Sequence, residues 1–179
     1  MKFFLLGLLW IGAAIAKPLP ALNGPLIKSG ENLSWKWEDA KIATAIVFLS
    51  AVCPCSDGHI AYLKKLKEDY PQVDFIGVHS NTDEDAKSTL EYFTEKNLNF
   101  NVLQDDKAKI ADLFGAYRTP HSFLVSKNGE ILFKGGVTSS SVSAKADTFY
   151  LADAIKNVVN GEEVKVKQAR TLGCQIGRD

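Results

Sequence analysis

Residues Ile42 to Leu49 read I-A-T-A-I-V-F-L, an apolar run with no charged residue and several β-branched or aromatic side chains. Such a run predicts a short strand apolar on both faces, and a strand of that kind needs a sheet covered on both sides. The downstream chain can supply that cover. Ile60, Leu63, Leu66 and Tyr70 fall near helical spacing with charges between them, and Pro71 stops the pattern. Val73–Val78 is the next strand. Thr82 and Asp85 have capping-box spacing before a helix carrying Ala86, Leu90 and Phe93 on one face. Phe100–Leu103 is a further strand, and Asp105 or Asp106 can cap a helix through Ile110, Leu113 and Phe114 that Gly115 closes. Asn128-Gly129 lies between the apolar runs Ser122–Val125 and Ile131–Phe133, a strong hairpin signal. A last helix carries Tyr150, Leu151, Ala154, Ile155, Val158 and Val159 and ends at Asn160-Gly161. Strands alternating with helices, then a hairpin and a helix, predict an α/β fold with a mixed central sheet and helices on both faces.

The ends of the chain have a different composition. Lys2, an apolar stretch and the small-residue triplet Ala14-Ile15-Ala16 form the three-part pattern of a secretory signal peptide over residues 1–16. The expectation is an exported protein, periplasmic or secreted, with no stable membrane span once that segment is removed. Residues 17–32 hold three prolines and two glycines with little periodicity and are expected to be an extended lead-in. Leu33, Trp35 and Trp37 alternate with polar residues as in a short strand, and open a domain expected over 33–160. Residues 161–179 form a polar, weakly patterned tail. Formal net charge is zero and no basic stripe is visible, so nucleic acid is not an expected partner.

The chemistry concentrates in three cysteines, Cys53, Cys55 and Cys174. An odd number in an oxidising compartment leaves at least one thiol unpaired within a monomer. Cys53-Pro54-Cys55 falls where the apolar strand gives way to a helix. The helix N-terminus presents free N–H groups and partial positive charge, so a thiolate there is stabilised and reactive. Pro54, with fixed φ and no N–H, suits the first helical turn. A disulfide within this pair would close a small, strained ring; two structural core cysteines are the plainer alternative. Downstream, Thr119-Pro120-His121 precedes an apolar strand, the setting for a cis-proline in a thioredoxin fold.

Together, "FLSAVCPCS" and "FGAYRTPHSFLVSKNGEILFKGGV" resemble the thioredoxin-like redoxins, both the exported TlpA/ResA-type thiol–disulfide oxidoreductases and the AhpC/TSA group. The resemblance spans about residues 33–160, and a helix near 83–96 resembles the insertion of the exported branch. It implies thiol–disulfide exchange with a thiol or disulfide partner protein. Cys53 would be the exposed nucleophile, Cys55 the second cysteine and Pro120 the cis-proline beside them. Cys174, in a mobile tail, would be a resolving cysteine, as in some peroxiredoxins, pairing with Cys53 or Cys55. The pattern departs from the family in three ways: C-x-x-C is shortened to C-x-C, Val52 replaces an aromatic residue, and of the peroxiredoxin Pro-x-x-x-Thr/Ser-x-x-Cys only Ser50 fits, Ile46 standing for proline. Arg118 is the residue nearest to the peroxiredoxin arginine. A thiol peroxidase is thus the alternative.

No cofactor is expected for exchange. Two thiolates and an imidazole would suit Cu(I), however, so a Sco-like copper chaperone using Cys53, Cys55 and His121 is a further alternative. His59, on the first helix, and His79, ending a strand at the same sheet edge, are nearby candidates. Oligomeric state is left open.

Overall fold

The computed structural model describes residues 17–178. Residues 1–16, expected from their sequence to be a signal peptide, lie outside the described residues.

Chain order runs β1 (Leu22–Pro25), β2 (Asn32–Trp35), β3 (Ala43–Leu49), α1 (Pro54–Asp69), β4 (Asp74–His79), α2 (Ala86–Lys96) and β5 (Asn101–Gln104). It continues with α3 (Lys109–Phe114), β6 (Arg118–Thr119), β7 (His121–Ser126), β8 (Ile131–Gly135), α4 (Tyr150–Val159) and β9 (Cys174–Gln175). The main sheet has five strands in the order β5-β4-β3-β7-β8. Strands β3, β4 and β5 are mutually parallel, whereas β7 and β8 run antiparallel to their neighbours. This is the mixed α/β architecture expected, and every residue of β3 is buried.

Two layers cover the sheet. On one face, alternate residues Ala45, Val47 and Leu49 meet Ile60, Leu63 and Leu66 of α1, Phe93 of α2, and Leu151 and Ile155 of α4. On the other, Ile46, Phe48, Phe123 and Val125 meet Ile110 and Phe114 of α3, Leu22 and Ile176. The period-two alternation of β3 thus divides its side chains between two cores, as a strand covered on both faces must. The tight turn between β7 and β8 is closed by Gly129, whose φ of 78° is left-handed.

Several expectations change. The lead-in 17–32 is not merely extended: β1 pairs antiparallel with β2, and Leu22 is 1% exposed. Gly24 allows the close approach, since a Cβ there would lie 3.1 Å from the Gln104 carbonyl oxygen. Trp37 leaves the strand pattern for a 3-10 turn, held by its indole N–H donating to the Leu19 and Pro20 carbonyls. Asp85, not Thr82, caps α2 by accepting the Ser88 N–H, which rotates the buried face onto Thr89 and Phe93 and leaves Leu90 outside. Asp105 accepts the Ile110 and Ala111 N–H groups, so it rather than Asp106 anchors α3, and Leu113 is exposed. The tail is not loose: it crosses back to pair β9 with β6, and Ile176 is buried in the second core.

Candidate functional site

Cys53 is the N-cap of α1 and Pro54 begins the helix. The loop before it is pinned from behind. Ser50 Oγ accepts the N–H groups of Val52 and Cys53 at 3.2 and 3.0 Å, and Ser56 Oγ accepts the Ser50 N–H. The Ser50 hydroxyl in turn donates to Glu84 Oε1 at 2.5 Å. Glu84 Oε2 also takes the Ala51 N–H at 2.8 Å and stands 3.0 Å from His79 Nε2. His79 Nδ1 is 3.0 Å from Gln104 Oε1. The His79 and Glu84 side chains are only 2% and 3% exposed. Burial pushes the Glu84 carboxyl up, but hydrogen bonds from His79, Ser50 and Ala51 outweigh it and hold the group below its usual range.

The front of the site is built by the cis peptide bond Thr119-Pro120 and by the tail. The Cys53 thiol donates to the Thr119 carbonyl at 3.2 Å, and its sulfur lies 2.7 Å from that of Cys174. Strand register places Thr119 opposite Cys174 and Arg118 opposite Gln175. Ile176 N–H donates to the Tyr117 carbonyl, and Arg118 Nη1 donates to the Gly173 carbonyl. Gly173 lies flat on β6, where a Cβ would fall 2.0 Å from the Thr119 carbonyl oxygen.

The three thiols are electrostatically unequal. Burial raises the Cys53 thiol, but hydrogen bonding from the Cys174 and Thr119 side chains and from the Ser56 and Cys174 backbone more than offsets it, bringing it to about 7. Cys174 is pushed up to about 12, by burial first and then by its hydrogen bond to Cys53 and the charge of a Cys53 thiolate. Cys55 is raised by burial and by that same charge. A Cys53 thiol lowered toward neutrality, beside two thiols that are both raised, is the arrangement a nucleophile needs.

The sequence candidates separate at this point. Cys53, Cys55, Pro120 and Cys174 do converge. Cys53 is not the exposed thiol expected, however: at 2% exposure it lies beneath the tail, and Cys174 carries the exposed position. Ser50 and Arg118 turn to Glu84 and Gly173. His59 is held between the Cys55 carbonyl and Thr138 Oγ1. His121 packs against Tyr117 and Phe123, its Nδ1 buried with no hydrogen-bond partner among the described residues, and burial and Lys134 lower it to about 4. Among the described residues no group of three or more His, Cys, Asp or Glu is arranged to hold a metal ion. Glu84 is the residue that sequence reasoning missed. It is one of three consecutive acids, Asp83-Glu84-Asp85, and only tertiary packing distinguishes it.

The Redoxin family model matches residues 16–149. The chain belongs to the redoxin family. Its fold is similar to that of a conserved uncharacterized protein from Geobacillus kaustophilus, with TM-score 0.80, 22% identity and 91% of each chain covered. A hypothetical protein from Sinorhizobium meliloti is similar at TM-score 0.79 and 21% identity, covering 90% of this redoxin and 93% of that chain. A secreted disulfide oxidoreductase of Mycobacterium tuberculosis matches at TM-score 0.54 and 18% identity, over 62% of this redoxin and 79% of that chain. No curated protein matches the redoxin by sequence. No helix among its described residues is long and apolar enough to cross a membrane.

Proposed function

We propose that this redoxin is an exported thiol–disulfide oxidoreductase in which Cys53 attacks and Cys174 resolves. The supporting observation is the Cys53 thiol, lowered to about 7 at a helix N-terminus, with the Cys174 sulfur 2.7 Å away across cis-Pro120. The Cys53 thiolate attacks one sulfur of a partner disulfide. That S–S bond breaks, a Cys53–partner disulfide forms, and the first partner thiolate leaves and is protonated from solvent. Cys53 is then neutral, so the charge that helped suppress ionisation of Cys174 is gone. Cys174 loses its proton and attacks the Cys53 sulfur, forming Cys53–Cys174 and expelling the second partner thiolate. The partner gains two electrons and the redoxin loses two; run backwards, the same steps oxidise a partner dithiol. The N-terminal leader supports export, as does the name of the secreted Mycobacterium protein with the same fold. Peroxide is the competing substrate, but Ser50 and Arg118, the residues nearest to a peroxidase pattern, are engaged with Glu84 and Gly173.

Disulfide mapping by mass spectrometry tests this proposal. After oxidation by a partner-like disulfide, a Cys53–Cys174 bridge is expected. Cys53→Ser should abolish turnover, and Cys174→Ser should accumulate the mixed disulfide. A Cys55–Cys174 bridge, or turnover that survives Cys53→Ser, would sink the scheme. Faster oxidation by peroxide than by any disulfide would favour the peroxidase, and tight Cu(I) uptake lost in His121→Ala would favour the copper chaperone.

A further inference from the structure

The segment Leu172-Gly173-Cys174-Gln175-Ile176 does more than supply a sulfur. It lies as a strand on β6, immediately before cis-Pro120, and offers a cysteine to Cys53. That is the geometry of a bound peptide, and the fold has an edge shaped to receive it. Each position has a separate requirement. The residue before the cysteine must lie flat, because any side chain would meet the Thr119 carbonyl oxygen at 2.0 Å. Strand alternation turns the cysteine and the second residue after it to the same side. Cys174 there meets Cys53, and Ile176 enters the core layer of Phe48, Phe114 and Phe123. The residue between them, Gln175, faces outward and is exposed. Arg118 grips the carbonyl of the flat residue, which requires backbone only.

We infer that the tail is a self-bound copy of the partner: the redoxin's substrates present the exchanging cysteine in an extended Gly-Cys-x-aliphatic segment that adds to β6. This rests on the exchange reading above and specifies its substrate class. Tail and partner compete for one edge. In the resting state Cys53 is covered, and a partner gains it by displacing a strand only two residues long. When the tail returns it carries Cys174 to the mixed disulfide and evicts the partner strand, so resolution and release are a single event. Main-chain pairing gives the affinity, and the flat and aliphatic positions give the selectivity.

The test uses the full chain with Cys55→Ser and Cys174→Ser, leaving Cys53 as the sole thiol, with and without Gly173→Ala. The probes are the peptide Leu-Gly-Cys-Gln-Ile-Gly, its cysteine carrying a chromophoric nitrothiobenzoate leaving group, and the same peptide with Ala before Cys. A small aromatic disulfide without a peptide serves as reference. In the Gly173→Ala chain the tail cannot lie on β6. The Gly peptide is then expected to react at Cys53 several-fold, up to about tenfold, faster than the Ala peptide, the range expected for one lost backbone hydrogen bond. It should also react faster than it does with the parent. Ile176→Asp, which unseats the same strand from the core, should give the same ranking if Gly173→Ala folds poorly. Equal rates for the two peptides, or no acceleration on releasing the tail, would overturn the inference while the reference disulfide still reports a working nucleophile. Failure of the reference disulfide to react with Cys53 in every background would overturn the exchange reading and this inference with it.

Discussion

The two sides of the Cys53 sulfur are built to different standards. Behind it, Glu84 sits almost fully buried, with each carboxylate oxygen engaged and His79 completing the network onto Gln104. In front, the cover is a two-residue strand held by backbone pairing, one buried isoleucine, hydrogen bonds from Arg118 to the Gly173 carbonyl and from Thr82 to the Gly177 carbonyl, and the partly exposed Arg178. A satisfied buried polar network is costly to break because each lost partner strands the others. A short edge strand opens cheaply because little apolar area is exposed when it leaves. On the proposed function, such a site would combine a fixed nucleophile with a lid that can detach, the division of labour that exchange with a bulky partner requires.

The strongest way to break that contrast is Glu84→Ala. It leaves His79 Nε2, the Ser50 hydroxyl and the Ala51 N–H without their shared acceptor in a dry setting. Losing one member of a buried pair costs about 3–5 kcal/mol, read as a fall in the urea midpoint with an unchanged slope. The milder Glu84→Gln sharpens it through pH. The Glu84 carboxyl is held below its usual value in the folded chain, so its contribution is fully present above the ordinary carboxylate range and is lost as pH falls through the folded value. Glu84→Gln should therefore flatten the acid limb of stability against pH while leaving neutral-pH stability closer to the parent's. An unchanged acid limb would show that the carboxylate is not what the pocket stabilises.

The intermediate effect lies between lid and nucleophile. In a Cys55→Ser background, thiolate absorbance of Cys53 should titrate with a midpoint near 7. Cys174→Ala removes a thiol that hydrogen-bonds the thiolate, so the midpoint should move up toward the free-thiol value of roughly 8.5. The reactive form then prevails only at higher pH. A midpoint that stays put would assign the lowered value to the helix terminus, the Thr119 side chain and the surrounding backbone, and separate the Cys174 thiol from the chemistry.

This contrast also marks what the sequence could reveal. The front edge of the sheet was legible: the apolar run of β3, the break at Cys53-Pro54-Cys55 and Thr119-Pro120 are local signals, and each lies where its chemistry demands. So was α1, because Ile60, Leu63 and Leu66 share a face at helical spacing. The back was not legible. Glu84 is distinguished from Asp83 and Asp85 only by where the β4–α2 loop folds, and Asp85 looked like the end of a capping box rather than the cap itself. Strand β2 was legible in the alternation of Leu33 and Trp35, but β1 and its pairing were hidden because the prolines and glycines there carry no periodicity; the register comes from pairing and from Gly24 fitting against β5. The tail was hidden for the same reason. Its pairing with β6 depends on Gly173, whose lack of a side chain matters only once Thr119 lies against it.

The smallest effect on stability separates the two sides most cleanly. Arg178 holds the tail from its far end. Nε and Nη2 donate to Asp112 Oδ1 and the Ala116 carbonyl at 3.0 and 2.7 Å, and Nη1 reaches the Ile176 carbonyl at 3.4 Å. Its side chain and that of Asp112 are 36% and 64% exposed, so solvent screens the pair. Arg178→Ala should therefore lower global stability by less than about 1 kcal/mol. The same substitution removes two contacts, to Asp112 and Ala116, that tie the far end of the tail to the body, and the local opening equilibrium shifts by most of what is lost. Amide hydrogen exchange at Cys174 and Ile176, and alkylation of Cys53, should both accelerate several-fold while exchange in β3 is unchanged. High salt applied to the parent should move in the same direction, since it weakens the exposed pair and leaves the buried Glu84 network untouched. If Arg178→Ala instead lowered the urea midpoint as far as Glu84→Ala does, the tail would unfold only with the core. Cys53 could then never be uncovered in the native protein, and a lid that opens for a partner would be excluded.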